Sequence, residues 1–161
     1  MNPQTRKSFK EAIETHEKMI SDFEKNSFET IAAVAEAITS VLHQGGTVYL
    51  CGNGGSAADA QHIAGELVGR FTRERKALAA VALSTDTSVL TCIANIIAAA
   101  QVAREKGASI ISFIGKRNSK LEQISDICFC ADAESTARSQ EIHQLAYHII
   151  CDVVEHGFAN V

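Results

Sequence analysis

Four short apolar runs constrain this chain most. Residues 47–51, 79–83, 109–115 and 126–132 are each long enough for one buried strand, and helical patterns separate them. Strands alternating with helices predict an α/β domain, its doubly wound, mainly parallel sheet flanked by helices. Two helices precede the first run. Residues 3–25 carry Phe9, Ile13, His16, Met19, Ile20 and Phe23 at spacings of three and four, a stripe that needs a partner. Residues 28–43 form a second, Ala-rich helix that Gly45 and Gly46 terminate. Together 3–43 are an addition outside the sheet. At the far end, 136–159 reads as one long helix with Ala137, Ile142, Leu145, Ile149 and Val153 among its apolar positions. The length, 161 residues, fits a single domain over 1–161.

The spacing fails in one place. Only residues 84–108 separate the second and third runs, and they carry two helical patterns, 87–95 and 96–107. A parallel crossover with its strands takes about 30 residues or more. Either the two helices pack consecutively, or a strand and loop are missing at the Asn95–Ile96 junction.

Composition excludes several classes of function. The net charge is −4 and the 15 Lys and Arg are scattered, which argues against general binding to nucleic acid. No apolar run reaches the roughly 18 residues of a membrane span. The charged N-terminus has no apolar core of a secretory leader. Five cysteines without a CxxC spacing read as reduced core thiols of a cytoplasmic protein.

Three motifs carry chemistry. In CGNGGSAADA, 51–60, a strand enters glycines and then a helix that Ser56 opens as N-cap. Backbone amides and the positive helix end there suit a phosphate, although GxxxxGK[ST] is absent; the other reading is a plain tight turn. Next come His62 and Glu66, one turn apart on the following helix. They suit a zinc site or an acid–base pair, or else form a surface ion pair. Arg70 extends that face toward an anionic substrate group, or pairs with Glu66. The third motif, RSQEIHQLAYHI at 138–149, offers Gln140, His143 and His148. Gln140 and His148 are about 12 Å apart along one helix at 1.5 Å per residue. Both reach one small ion only if different subunits supply them. A core histidine bonded to a carbonyl is the other reading for His143 and His148.

Taken together, CGNGGSAADAQHIAGELVGRF (51–71), ALAAVALSTDTSVLTCIAN (77–95) and ARSQEIHQLAYHIICDVVE (137–155) resemble the SIS (sugar isomerase) domain family, and within it the phosphoheptose isomerases. The resemblance implies an aldose–ketose isomerase that converts sedoheptulose 7-phosphate to D-glycero-D-manno-heptose 7-phosphate by enediol proton transfer. That reaction feeds bacterial heptose synthesis for lipopolysaccharide or capsule. It implies that Asn53, Gly54, Gly55 and Ser56 hold phosphate and substrate, joined by Asn95 and Gln140. It implies Glu66 as base and His148 as the second acid–base group. His62, Glu66, Gln140 and His148 would bind one zinc ion per subunit. A homotetramer with active sites between subunits is implied too, with helices 3–43 packing on the core and on neighbours. The pattern breaks after Asn95. The family continues with Asp, a helix, a strand and a phosphate-gripping STSGxS loop, whereas here Ile96 follows.

Two binding readings compete. One is a non-catalytic SIS-domain tetramer that binds the replication initiator DnaA; that relative lacks the Glu found here at 66 and the His at 148. The other is a sugar-phosphate sensor of the kind found in transcription regulators, and it would need a DNA-binding segment or basic block.

Overall fold

The computed structural model describes residues 2–83 and 93–159, with the side chains of 93–95 outside that set. Helices α1 (Pro3–Asn26) and α2 (Phe28–His43) lead into β1 (Val48–Leu50), α3 (Gly55–Val68) and β2 (Ala80–Ala82). Then come α4 (Ile93–Glu105), β3 (Ile111–Ile114), the short α5 (Lys120–Gln123), β4 (Ile127–Cys130) and α6 (Thr136–His156). All four expected strands form, each inside its apolar run. The helix expected at 87–95 lies, through residue 92, outside the described residues. The structure adds α5, which Ser119 caps by accepting the Glu122 N–H at 3.1 Å.

The strands pair in parallel, as expected of an α/β domain. Val48, Tyr49 and Leu50 lie beside Ala80, Val81 and Ala82. Ile111 to Ile114 lie beside Ile127 to Cys130. Among the described residues the strands make two separate two-stranded sheets instead of one continuous sheet. The physical reason lies at the junction: α4 runs without interruption through Asn95 and Ile96. Among the described residues no strand pairs between β1 and β3.

The core lies between the sheets and α2, α3 and α6. Ile31, Val34, Ala35 and Leu42 of α2 meet Leu67, Phe129, Ile142, Ala146, Ile150 and Val154. On α6 the buried face is therefore Ile142, Ala146, Ile150 and Val154, spaced by four. Of the apolar positions read along this helix, Ile142 is buried, while Ala137, Ile149 and Val153 are exposed. Met19 and Phe23 of α1 pack on this core, while Phe9, Ile13 and Ile20 remain open. Gly45 ends α2 at φ +77°, a left-handed position that suits glycine.

α6 runs parallel to α3, and that arrangement builds the site. Gly55 faces Gln140, Asp59 faces Gln144, and His62 faces His148. Further along, the loop after α3 meets Glu155.

Candidate active site

The glycine turn comes first. β1 ends at Leu50, and Gly54, at φ +54°, turns the chain so that α3 starts at Gly55. Gly54 occupies the N-cap position with no side-chain cap. The expectation that Ser56 caps the helix is thus corrected: Ser56 is the second residue of the helix, its N–H donating to the Asn53 carbonyl at 3.0 Å. The glycine at 54 reaches the required backbone angle, and a capping serine has no place left. At Gly55 a Cβ would collide with the Gln140 carboxamide. Gly55 therefore lets α6 bring Gln140 against the amide end of α3. The Asn53 Oδ1 is buried there without a hydrogen-bond partner among the described residues.

Beside this turn opens a cleft of ≈ 320 Å³ lined by Ser56, Lys116, Ser135, Thr136, Ser139 and Gln140 among others. It lies past the carboxyl ends of β1 and β3, where open parallel sheets bind ligands. The sequence reading missed Lys116. The signal was available in Lys116 following Gly115 at the end of an expected strand.

Two turns along α3 lies a row of three titratable groups. Glu66 Oε1 is 3.1 Å from His62 Nε2. That same nitrogen is 3.3 Å from His148 Nε2 of α6. The Glu66 side chain is 22% exposed and that of His62 49%, so the row opens to solvent on one side. The i,i+4 pair of the sequence is real, and the parallel neighbour adds the second imidazole. Two arrangements satisfy the shared nitrogen. His62 donates one N–H between carboxylate and imidazole, or a cation lies among the three donors.

The remaining candidates divide. Arg70 pairs with Glu74 and not with Glu66; both point outward on the exposed chain after α3. His143 is a core histidine, its Nε2 donating to the Ile114 carbonyl at 3.2 Å. Burial pushes its imidazole below the ordinary value, with the Ile114 bond and Asp59 offsetting part of that. Tyr147 is buried beside the row, and burial first, then Asp59, Cys151 and Glu66, push its phenol up to about 12. The side chain of Asn95 lies outside the described residues. Of the thiols, Cys151 is core, whereas Cys51 is exposed; no described cysteine is bonded to another.

The donor chemistry of two imidazoles and one carboxylate suits zinc. Among the described residues, however, no three His, Cys, Asp or Glu side chains gather around one point fit for a metal ion. Gln140 lies against Gly55, about 10 Å along the axis from the level of His62. Gln140 and His62 of one protomer are therefore too far apart to share one small ion.

A glycine-opened helix start and a carboxylate–imidazole row stand on one α/β scaffold. A family model described as the SIS domain matches residues 13–96. The phosphoheptose isomerase of Roseiflexus sp. (strain RS-1) is 38% identical over 171 aligned positions, covering 83% of this chain and 87% of the relative. That of Thermodesulfovibrio yellowstonii is 36% identical over 183 positions, covering 93% of this chain and 89% of the relative. The chain belongs to the SIS-domain family, among its phosphoheptose isomerases. The solved phosphoheptose isomerase of Neisseria gonorrhoeae superimposes with a TM-score of 0.83 at 29% identity, covering 94% of this chain and 99% of that one. A phosphoheptose isomerase from Francisella tularensis shares the fold at a TM-score of 0.85 and 24% identity, covering 97% of this chain and 100% of that one. Alignments of 171 and 183 positions exceed the 161 residues here, so these relatives carry residues with no counterpart in this chain.

Proposed function

We propose that this chain is the aldose–ketose isomerase interconverting sedoheptulose 7-phosphate and D-glycero-D-manno-heptose 7-phosphate, a step toward bacterial surface heptose. The observation that carries the reading is the convergence of Glu66, His62 and His148 from two parallel helices, two turns from a glycine-opened amide end. Glu66 takes the proton from the carbon next to the substrate carbonyl. His148, whose imidazole can both give and accept a proton, returns one to the neighbouring carbon. The hydroxyl proton moves to the former carbonyl oxygen, so the enediol closes as the isomeric carbonyl. Binding energy at the phosphate, remote from the reacting carbons, fixes their geometry.

Asn53, Gly54, Gly55 and Ser56 hold the phosphate end, with Lys116 supplying a positive charge on the same cleft. Gln140 and Asn95 bond sugar hydroxyls. Arg70 meets the substrate only by leaving Glu74. The STSGxS loop of the family has no place in an α4 that runs through Asn95–Ile96, so the first loop carries the phosphate with fewer donors. A zinc ion would be held by His62, Glu66 and His148, with Gln140 supplied by a neighbouring copy. When bound, it would polarise the substrate carbonyl. The half-open row and the stripe on α1 favour a homotetramer with sites between subunits. Free thiols suit the cytoplasm. No described helix is long and apolar enough to cross a membrane.

The test is isomerisation of sedoheptulose 7-phosphate by the purified chain. Turnover is expected, and none at saturating substrate would overturn the proposal. Metal analysis separates the zinc question: about one ion per subunit in the wild type and loss in His62→Ala are expected. A metal-free active enzyme would remove zinc from the account.

A further inference from the structure

Phe71 lies on the face of His148, the ring centroids 5.5 Å apart and the planes 15° apart. Tyr147 meets His148 edge-on, at 4.6 Å and 71°. An unrestrained imidazole turns broadly about χ2 and presents Nε2 or a carbon edge almost equally. A flat ring against one face and a perpendicular ring beside it leave one plane. In that plane Nε2 faces His62.

Phe71 stands on a loop, and its placement depends on how that loop is tied. Its N–H donates to Glu155 Oε1 at 2.6 Å. The N–H groups of Thr72 and Arg73 donate to Oε2 at 2.8 and 2.9 Å. Glu155 is fully buried and ion-paired with Arg75 Nε at 3.0 Å. The Arg75 guanidinium also donates to the carbonyls of Glu66 at 2.7 Å and Leu67 at 2.8 Å. A buried ion pair adds little stability over apolar packing, and Arg75 Nε is close to the carboxylate without hydrogen-bond alignment, so the geometry is fixed by the other bonds of the two side chains. Those bonds end on the backbone of 66–73, the segment that carries both Glu66 and Phe71.

We propose that Phe71 is a positioning residue for His148, held flat against the imidazole by the Glu155–Arg75 clamp so that Nε2 stays turned toward His62 in the row that carries the proton. The inference rests on the reading of His148 as proton carrier.

The experiment uses the full chain and the variants Phe71→Leu, Phe71→Met and Phe71→Tyr. The two unringed variants are read in parallel, so that a folding defect in one does not stand in for the result. In them kcat should fall ~10-fold through misplacement of the imidazole, with KM within roughly twofold. Phe71→Tyr, which keeps a flat ring, should restore kcat. A second readout does not need turnover: imidazole ¹⁵N resonances of His148, assigned by their loss in His148→Gln. The wild type and Phe71→Tyr should show one tautomer, and Phe71→Leu and Phe71→Met an averaged pair. Unchanged kcat with a single tautomer in the unringed variants, or a loss that Tyr does not restore, would overturn the proposal. A wild type that fails to isomerise but shows the tautomer change would sink the functional reading and leave the role of Phe71 standing.

Discussion

Glu66 and His148 are distant in sequence, yet His62 connects them through contacts of 3.1 and 3.3 Å. Glu66→Gln keeps size and polarity and removes the base. We expect turnover to fall by about 10²–10⁴-fold, with the thermal unfolding midpoint unchanged. His148→Ala should lower kcat comparably, read in the same assay. Near-normal rates in either variant would remove that residue from proton transfer. The Glu66–His62 half of this row was legible at i,i+4 spacing, because a helix alone fixes it. The His62–His148 half was not, because no local rule says which helix lies beside α3. The alternative reading of Arg70, an ion pair with Glu66, fails for a related reason: Glu66 and Glu74 are both four residues away, and only the chain's course after Val68 selects Glu74.

At the scale of elements, the parallel packing of α3 on α6 depends on small residues where the helices touch. Gly55 is the tightest point, with the Gln140 carboxamide in the space of a side chain. Gly55→Ala should push Gln140 aside, since the end of a glutamine is flexible, and leave the fold intact. KM for the sugar phosphate should rise several-fold while unfolding in urea stays as in the wild type; unchanged KM would show that Gln140 does not touch substrate. The strands and both leading helices were legible from periodicity. The buried side of α6 was not legible, because every third or fourth position along it offers an apolar residue. Only the neighbours α2 and α3 choose Ile142, Ala146, Ile150 and Val154.

Across the whole molecule, two features govern stability and assembly. The first is the buried Arg75–Glu155 pair. Burial alone would raise the Glu155 carboxyl, but the N–H groups of Thr72, Phe71 and Arg73 and the Arg75 charge outweigh it and hold the group below its ordinary value of 4.5. A depressed folded-state value contributes stability above the ordinary carboxylate range, and that stability is lost as pH falls through the folded-state value. Glu155→Gln should therefore flatten the acid limb of a stability–pH curve measured by urea unfolding. Arg75→Met, which strands the carboxylate, should cost about 3–5 kcal/mol near neutrality. An acid limb identical in wild type and Glu155→Gln would show that other carboxylates set it. The second feature is the open stripe on α1, where Phe9 is 65% and Ile13 45% exposed. If a second copy covers it, Phe9→Asp with Ile13→Asp should turn a sedimenting tetramer into smaller species. A double variant that still sediments as a tetramer would place the contact elsewhere.

By itself the sequence determined the order of strands and helices, the glycine-opened amide end and the one-turn pairing of His62 with Glu66. Each of these follows from local spacing and backbone sterics. It also exposed the short crossover at Asn95–Ile96, because chain length bounds what a crossover can reach. The tertiary structure alone decided that the described strands lie in two pairs, that α6 delivers His148 to His62 while Gln140 stays at Gly55, and that Phe71 lies on the imidazole. Those outcomes depend on which surfaces pack together, and packing is a property of the folded whole.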